Sequence, residues 1–247
     1  MSTVKQEKEK AYRELIDTLY QLEEEARKNG TLIDENILKK ADRVAFELED
    51  GHILRILGAM YFEGNGVKQD QEKAVKYYKE GSEYGDAQSS SNLGFCYYYG
   101  NGVKQSYEEA FKYFNKAVLL GSLEAKYMLA DMYRDGLFVQ KDEKFAFKIY
   151  KDLVDRCKND EVENSYLKHY QQIYSASCIR LATCYLYGKG IEQDLLKAEY
   201  YNSIARYYYL LRKSWGDYYC EPGLRRVYDN EQELKRIVRN KKKAKIN

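Results

Sequence analysis

The sequence predicts an all-α protein, a right-handed α-solenoid of stacked helix–turn–helix repeats with helical caps at both ends. Two observations predict it. A phrase running from Leu57 to Val67 returns from Leu93 to Val103, then in altered form from Leu129 to Val139 and from Leu181 to Ile191. The first three copies are 36 residues apart and the fourth follows after 52, one period plus a 16-residue insertion. Self-similarity at such a period marks supersecondary units that bury their apolar faces only against one another. The second observation is that one proline, Pro222, stands in 247 residues, so long helices go unbroken.

The elements follow in order. Residues 1–51 read as an N-terminal helical cap, a degenerate repeat. Tyr12, Leu15, Ile16, Leu19, Leu22 and Ala26 form a stripe at helical spacing. Gly30 and Asp34 sit one period before Gly66 and Asp70. The four repeats span 52–86, 87–122, 123–156 and 176–212, each a helix A, a glycine turn and a helix B. In helix A the leucine and the tyrosine four residues on (Leu57 and Tyr61 in the first) share a face. Gly58, Gly94, Ala130 and Ala182 keep one position small for a close approach. The turn glycines reach positive φ without steric cost. Phe138 replaces the second of them in the third repeat, where a distorted turn is expected.

Helix B opens on Asp70, Ser106, Asp142 and Asp194, all good N-caps. Residues 157–175 are an insertion expected to extend helix A of the fourth repeat backwards by about three turns, at roughly 3.6 residues per turn. Residues 213–247 form a C-terminal cap: an aromatic loop from Trp215 to Gly223, a helix capped by Asp229 or Asn230, and a solvated basic tail.

Charge and chemistry exclude several functions. From Leu224 onward nine basic residues face three acidic ones, an excess of six that leaves the remainder of this +2 chain four negative. The polar, charged first ten residues and the lack of an apolar run of about 18 residues lead to the expectation of neither a secretory signal nor a membrane span. Five cysteines without paired spacing suit a reducing compartment, so a cytoplasmic location is expected. Cys96 and Cys184 take the register position of Met60 and Met132, that of soft core packing. His52 and His169 lack metal-ligand spacing, and the G-x-G elements end helices rather than cradle phosphate. No catalytic residue, metal or cofactor is therefore expected.

The pattern from Leu57 to Tyr78, L-G-x-x-Y-x-x-G-x-G-V followed by D-x-x-K-A-x-x-Y-Y, resembles the SLR (Sel-one-like repeat) family, relatives of the tetratricopeptide repeat. The resemblance covers about residues 52–210. It implies an adaptor or scaffold. By analogy with the tetratricopeptide fold, a groove is lined by helix A at positions two before and two, five and six after the repeat leucine. The first repeat places Arg55, Ala59, Phe62 and Glu63 there, the second Ser91, Phe95, Tyr98 and Tyr99. The third places Tyr127, Asp131, Arg134 and Asp135, the fourth Ile179, Thr183, Leu186 and Tyr187. Tyrosine and arginine dominate binding hot spots, so the expected function is a non-enzymatic protein–protein interaction module that takes a protein or peptide in an aromatic groove. The alternatives are nucleic-acid association through the basic tail and an enzyme; homo-oligomerisation stays open, since a solenoid leaves two ends and a groove available.

Overall fold

The computed structural model describes residues 3–159 and 167–244, and those residues contain eleven α-helices and no strand. They form two compact units, Met1–Ala125 and Lys126–Asn247.

In the first unit α1 (Thr3–Asn29) and α2 (Glu35–Glu47) precede two repeats, α3 (Gly51–Glu63) with α4 (Gln71–Glu83) and α5 (Ala87–Tyr99) with α6 (Tyr107–Leu119). Leu15 and Leu19 of the α1 stripe join Ile53, Leu54, Ile56, Leu57 and Met60 of α3 in one buried cluster. Gly30 ends α1 at φ +68°, and Asp34 caps α2 by accepting from the Asn36 N–H at 2.7 Å. The second unit holds most of α7 (Leu123–Asp135), then α8 (Glu143–Asn159), α9 (Leu167–Tyr187), α10 (Leu195–Ser214) and α11 (Glu221–Ala244).

Every repeat is closed by the same local chemistry. Asp70, Ser106, Asp142 and Asp194 each accept from the backbone N–H three residues on, at 2.9, 3.2, 2.8 and 3.0 Å. Such a cap is worth about 1 kcal/mol. Helix A has caps of its own, Asp50, Asp86 and Ser122, again 36 residues apart. Its last turn is closed by a glutamine: Gln69, Gln105 and Gln193 donate to the carbonyls of Phe62, Tyr98 and Leu186 at 2.7–2.8 Å. The small residue of helix A meets its own repeat's helix B. A Cβ on Gly58 would stand 2.6 Å from the Tyr78 ring, and one on Gly94 2.6 Å from Phe114. The repeat tyrosines stack across the pair, Tyr61 on Tyr77, Tyr97 on Tyr113 and Tyr185 on Tyr201, with centroids 5.6–5.8 Å apart. Cys96 and Cys184 are buried as the register implies, and desolvation pushes their thiols up to about 12 and about 11.

Two expectations are corrected. The third turn is not distorted, because Phe138 itself takes φ +66°, beside +75°, +69° and +72° at Gly66, Gly102 and Gly190. The packed repeat imposes the backbone, at a cost of about 1–2 kcal/mol for a side chain in that region. The insertion lengthens α9, whose described part runs 21 residues against 13 in α3, α5 and α7, and the expected extension by about three turns would reach into residues outside the described ones. It also lengthens α8 to 17 residues, while 160–166, Tyr166 included, lie outside the described residues.

The last correction concerns the C-terminus. A short 3₁₀ turn at Tyr218–Cys220 leads straight into α11, so Asp229 and Asn230 lie inside a helix that begins at Glu221. Pro222 is tolerated because first-turn N–H groups have no helical acceptor. Gly223 is needed because a Cβ there would run into the Tyr209 ring. The lysines Lys241–Lys243 form the last helical turn rather than a coil, where they complement the helix dipole.

Candidate functional site

The helix-A positions expected to line a groove differ between the two units. In the first unit they are aromatic and partly open. Phe95 and Tyr99, one helical turn apart on α5, stack with centroids 6.3 Å apart and planes within 5°. Tyr98 meets Tyr99 edge-on at 4.9 Å and Tyr107 of α6 at 5.3 Å. Phe95 in turn rests edge-on against the buried Phe114 at 5.2 Å. The result is a graded aromatic layer: Phe114 buried, Phe95 and Tyr98 half-buried, Tyr99 60% exposed. On α3, Phe62 leans on Tyr78 at 6.4 Å and Glu63 is exposed. Arg55 is drawn away from this layer, donating to the Tyr20 hydroxyl at 3.0 Å and pairing with Asp86 at 3.9 Å.

In the second unit the third-repeat positions are ionic and tied into an intramolecular network. Asp131, 7% exposed, accepts from the Tyr150 hydroxyl at 2.5 Å, from Arg134 at 2.5 Å and from Arg180 Nε and Nη2 at 3.0 and 2.6 Å. Arg134 also pairs with Asp135. Tyr127 packs its ring on Tyr150 at 5.9 Å, beneath the Arg180 guanidinium at 5.8 Å. Burial and the negative charge of Asp131 raise the Tyr150 phenol well above its ordinary value, so it stays a donor. Leu186, 1% exposed, belongs to the core. The face of α9 is further occupied by α11: the Asn230 amide reaches Thr183 Oγ1 at 3.4 Å and Asn202 Oδ1 at 3.2 Å. Tyr187 remains half-exposed, its phenol raised by burial and then by Glu233 of α11.

Of the expected groove residues, Asp131 and Leu186 are therefore not presented to a partner, and Arg55, Tyr127 and Arg134 are held in intramolecular contacts. Phe95, Tyr98 and Tyr99 form one aromatic layer on α5, while Phe62 packs on Tyr78 and Glu63 is exposed on α3. Sequence reading missed Arg180, though a signal existed. That register position holds Ile56, Asn92 and Met128 in the other repeats, so an arginine there demanded a buried acid.

The Sel1 repeat family model matches residues 54–86, 87–122, 123–151 and 175–211, more than half of the chain. The chain belongs to the Sel1 repeat family. Sel1 repeat proteins generally act in protein–protein interaction, typically as non-catalytic scaffolds. Among solved structures, a Sel1 repeat protein from Oxalobacter formigenes is similar at 23% identity and a TM-score of 0.54, covering 66% of this chain. A protective antigen of uropathogenic Escherichia coli strains that displays an SLR fold is similar at 22% identity and a TM-score of 0.50, covering 96%. The matches span 60% and 56% of those two chains, and at such identities the likeness concerns the all-α Sel1 repeat solenoid fold alone. No curated protein matches the chain. Among the described residues of this Sel1 repeat protein, no helix is long and apolar enough to cross a membrane.

Proposed function

We propose that the protein is a non-enzymatic interaction module that holds a helical segment of a partner protein on the aromatic helix-A face of its first two repeats. The observation that carries this reading is Tyr99, a large ring 60% exposed on a layer of rings that tightens inward to Phe114. Tyrosine suits such a face because its ring gives contact area while its hydroxyl keeps a wet end. The partner is read as helical because the helix-A side of α9 already receives a helix, α11, through Asn230. The partner's apolar anchors would meet Phe95 and Tyr99, and a basic residue beside them would meet the exposed Glu63.

Photo-crosslinking tests the reading directly. A benzophenone amino acid placed at residue 99 should trap a discrete partner, whereas the same probe at Leu119, 88% exposed on α6, should not. Tyr99→Ser should lose the partner while shifting stability by no more than about 0.5 kcal/mol, as an exposed site allows. Adducts that form equally at both positions, or at neither, would remove the face from consideration.

A further inference from the structure

The second unit contains a cavity of about 290 Å³ between α7, α8, α9 and α11. Four cations line it, Arg134, Arg180, Lys189 and Arg226, against a single lining carboxylate, Glu143. The charges around it do not balance. Asp131 and Asp135 neutralise Arg134 and Arg180, and Glu143 is taken by Lys141 at 2.9 Å. Among the described residues, neither Lys189 nor Arg226 forms an ion pair, so two positive charges are left over.

We propose that this cavity binds a phosphoryl dianion, held by Arg226, Lys189 and the Asp131-anchored Arg180. Asp131 engages Nε and Nη2 of Arg180, leaving Nη1 without an acceptor among the described residues. The anchored guanidinium is a preorganised donor, with the order already imposed before a ligand arrives. Guanidinium forks match tetrahedral oxyanions and hydrogen-bond them more strongly than neutral donors do. A surplus of two charges suits a phosphate or phosphomonoester; a monocarboxylate would leave one of them uncompensated. The volume lies near the lower end of small-molecule sites, about 300 Å³, which fits a phosphoryl headgroup. Burial and then the nearby charges of Arg180 and Arg134 hold Arg226 below the usual arginine range, a strain that a bound dianion would relieve. The proposal does not depend on the aromatic face of the first unit.

Calorimetric titration of the full chain at fixed ionic strength and pH 7.5 tests it, using inorganic phosphate, O-phosphoserine and acetate. One saturable site for phosphate and none for acetate is expected. Arg226→Met should weaken phosphate binding about tenfold or more, on the scale of a lost charge-assisted hydrogen bond. Lys189→Met should weaken it too, and it decides the matter should Arg226→Met fail to fold. Arg239→Met, exposed on α11 and outside the cavity lining, should leave binding unchanged. Phosphate acting no differently from acetate, or Arg239→Met costing as much as the cavity variants, would overturn the site. Tighter binding of O-phosphoserine than of phosphate would assign the phosphoryl group to a larger ligand, and weaker binding to the free ion.

Discussion

Repeats two and three place different chemistry on the same scaffold. Phe95, Tyr98 and Tyr99 of α5 stand at the positions of Asp131, Arg134 and Asp135 of α7. Beneath them Phe114 of α6 corresponds to Tyr150 of α8. In one repeat ring packs on ring, and Phe95 meets Phe114 edge-on. In the other a carboxylate replaces the upper ring, and the lower ring gains a hydroxyl that donates to it. The caps, the turn φ values and the length of helix A are shared. The repeat backbone is thus set by turns and caps, and the helix-A face is free to carry either a sticky layer or a closed ionic knot.

The comparison can be broken hardest at the knot. Asp131→Asn removes the charge that holds Arg134 and Arg180 together, and should cost about 3 kcal/mol, read as a fall in Tm. Phe95→Asn at the matched position should cost less, because Phe95 is only half-buried. A second difference lies one residue earlier, glycine in the first unit (Gly58, Gly94) and alanine in the second (Ala130, Ala182). Gly94→Ala should destabilise by about 1–3 kcal/mol, since the new methyl meets Phe114 at 2.6 Å. That outcome runs against helix propensity, which alone favours alanine by about 1 kcal/mol. The smallest effect is expected at the third turn. Phe138→Gly should stabilise by about 0.5–1 kcal/mol, the relief of a left-handed side chain less the extra entropy of glycine in the unfolded chain. Chemical denaturation resolves each shift.

Local features were legible in the sequence wherever one residue decides the conformation. Turn glycines, helix-B caps and the Met/Cys core position could be read because each depends on neighbours a few residues away. Phe138 shows the limit: its rank order of conformations disfavours the turn, but the packed repeat overrides it. The start of α11 was obscured because Pro222 and Gly223 read as loop residues until Tyr209 gives the glycine a reason. The glutamine closures at Gln69, Gln105 and Gln193 were present in three copies, and Lys141 in the third marks the departure. The site was the least legible. Positions borrowed from a related fold name residues of helix A but carry no information on Arg180, 49 residues from Asp131 along the chain, which pairs with it.

The burial of all five cysteines gives the molecule an internal clock. A thiol shielded by the core, and raised in the case of Cys96 to about 12, reacts with an alkylating reagent only while its surroundings are open. Cys96 lies in the first unit and Cys157, Cys178, Cys184 and Cys220 in the second. Labelling kinetics followed by mass spectrometry would therefore time the opening of each unit separately, in the unmodified protein and without any introduced probe.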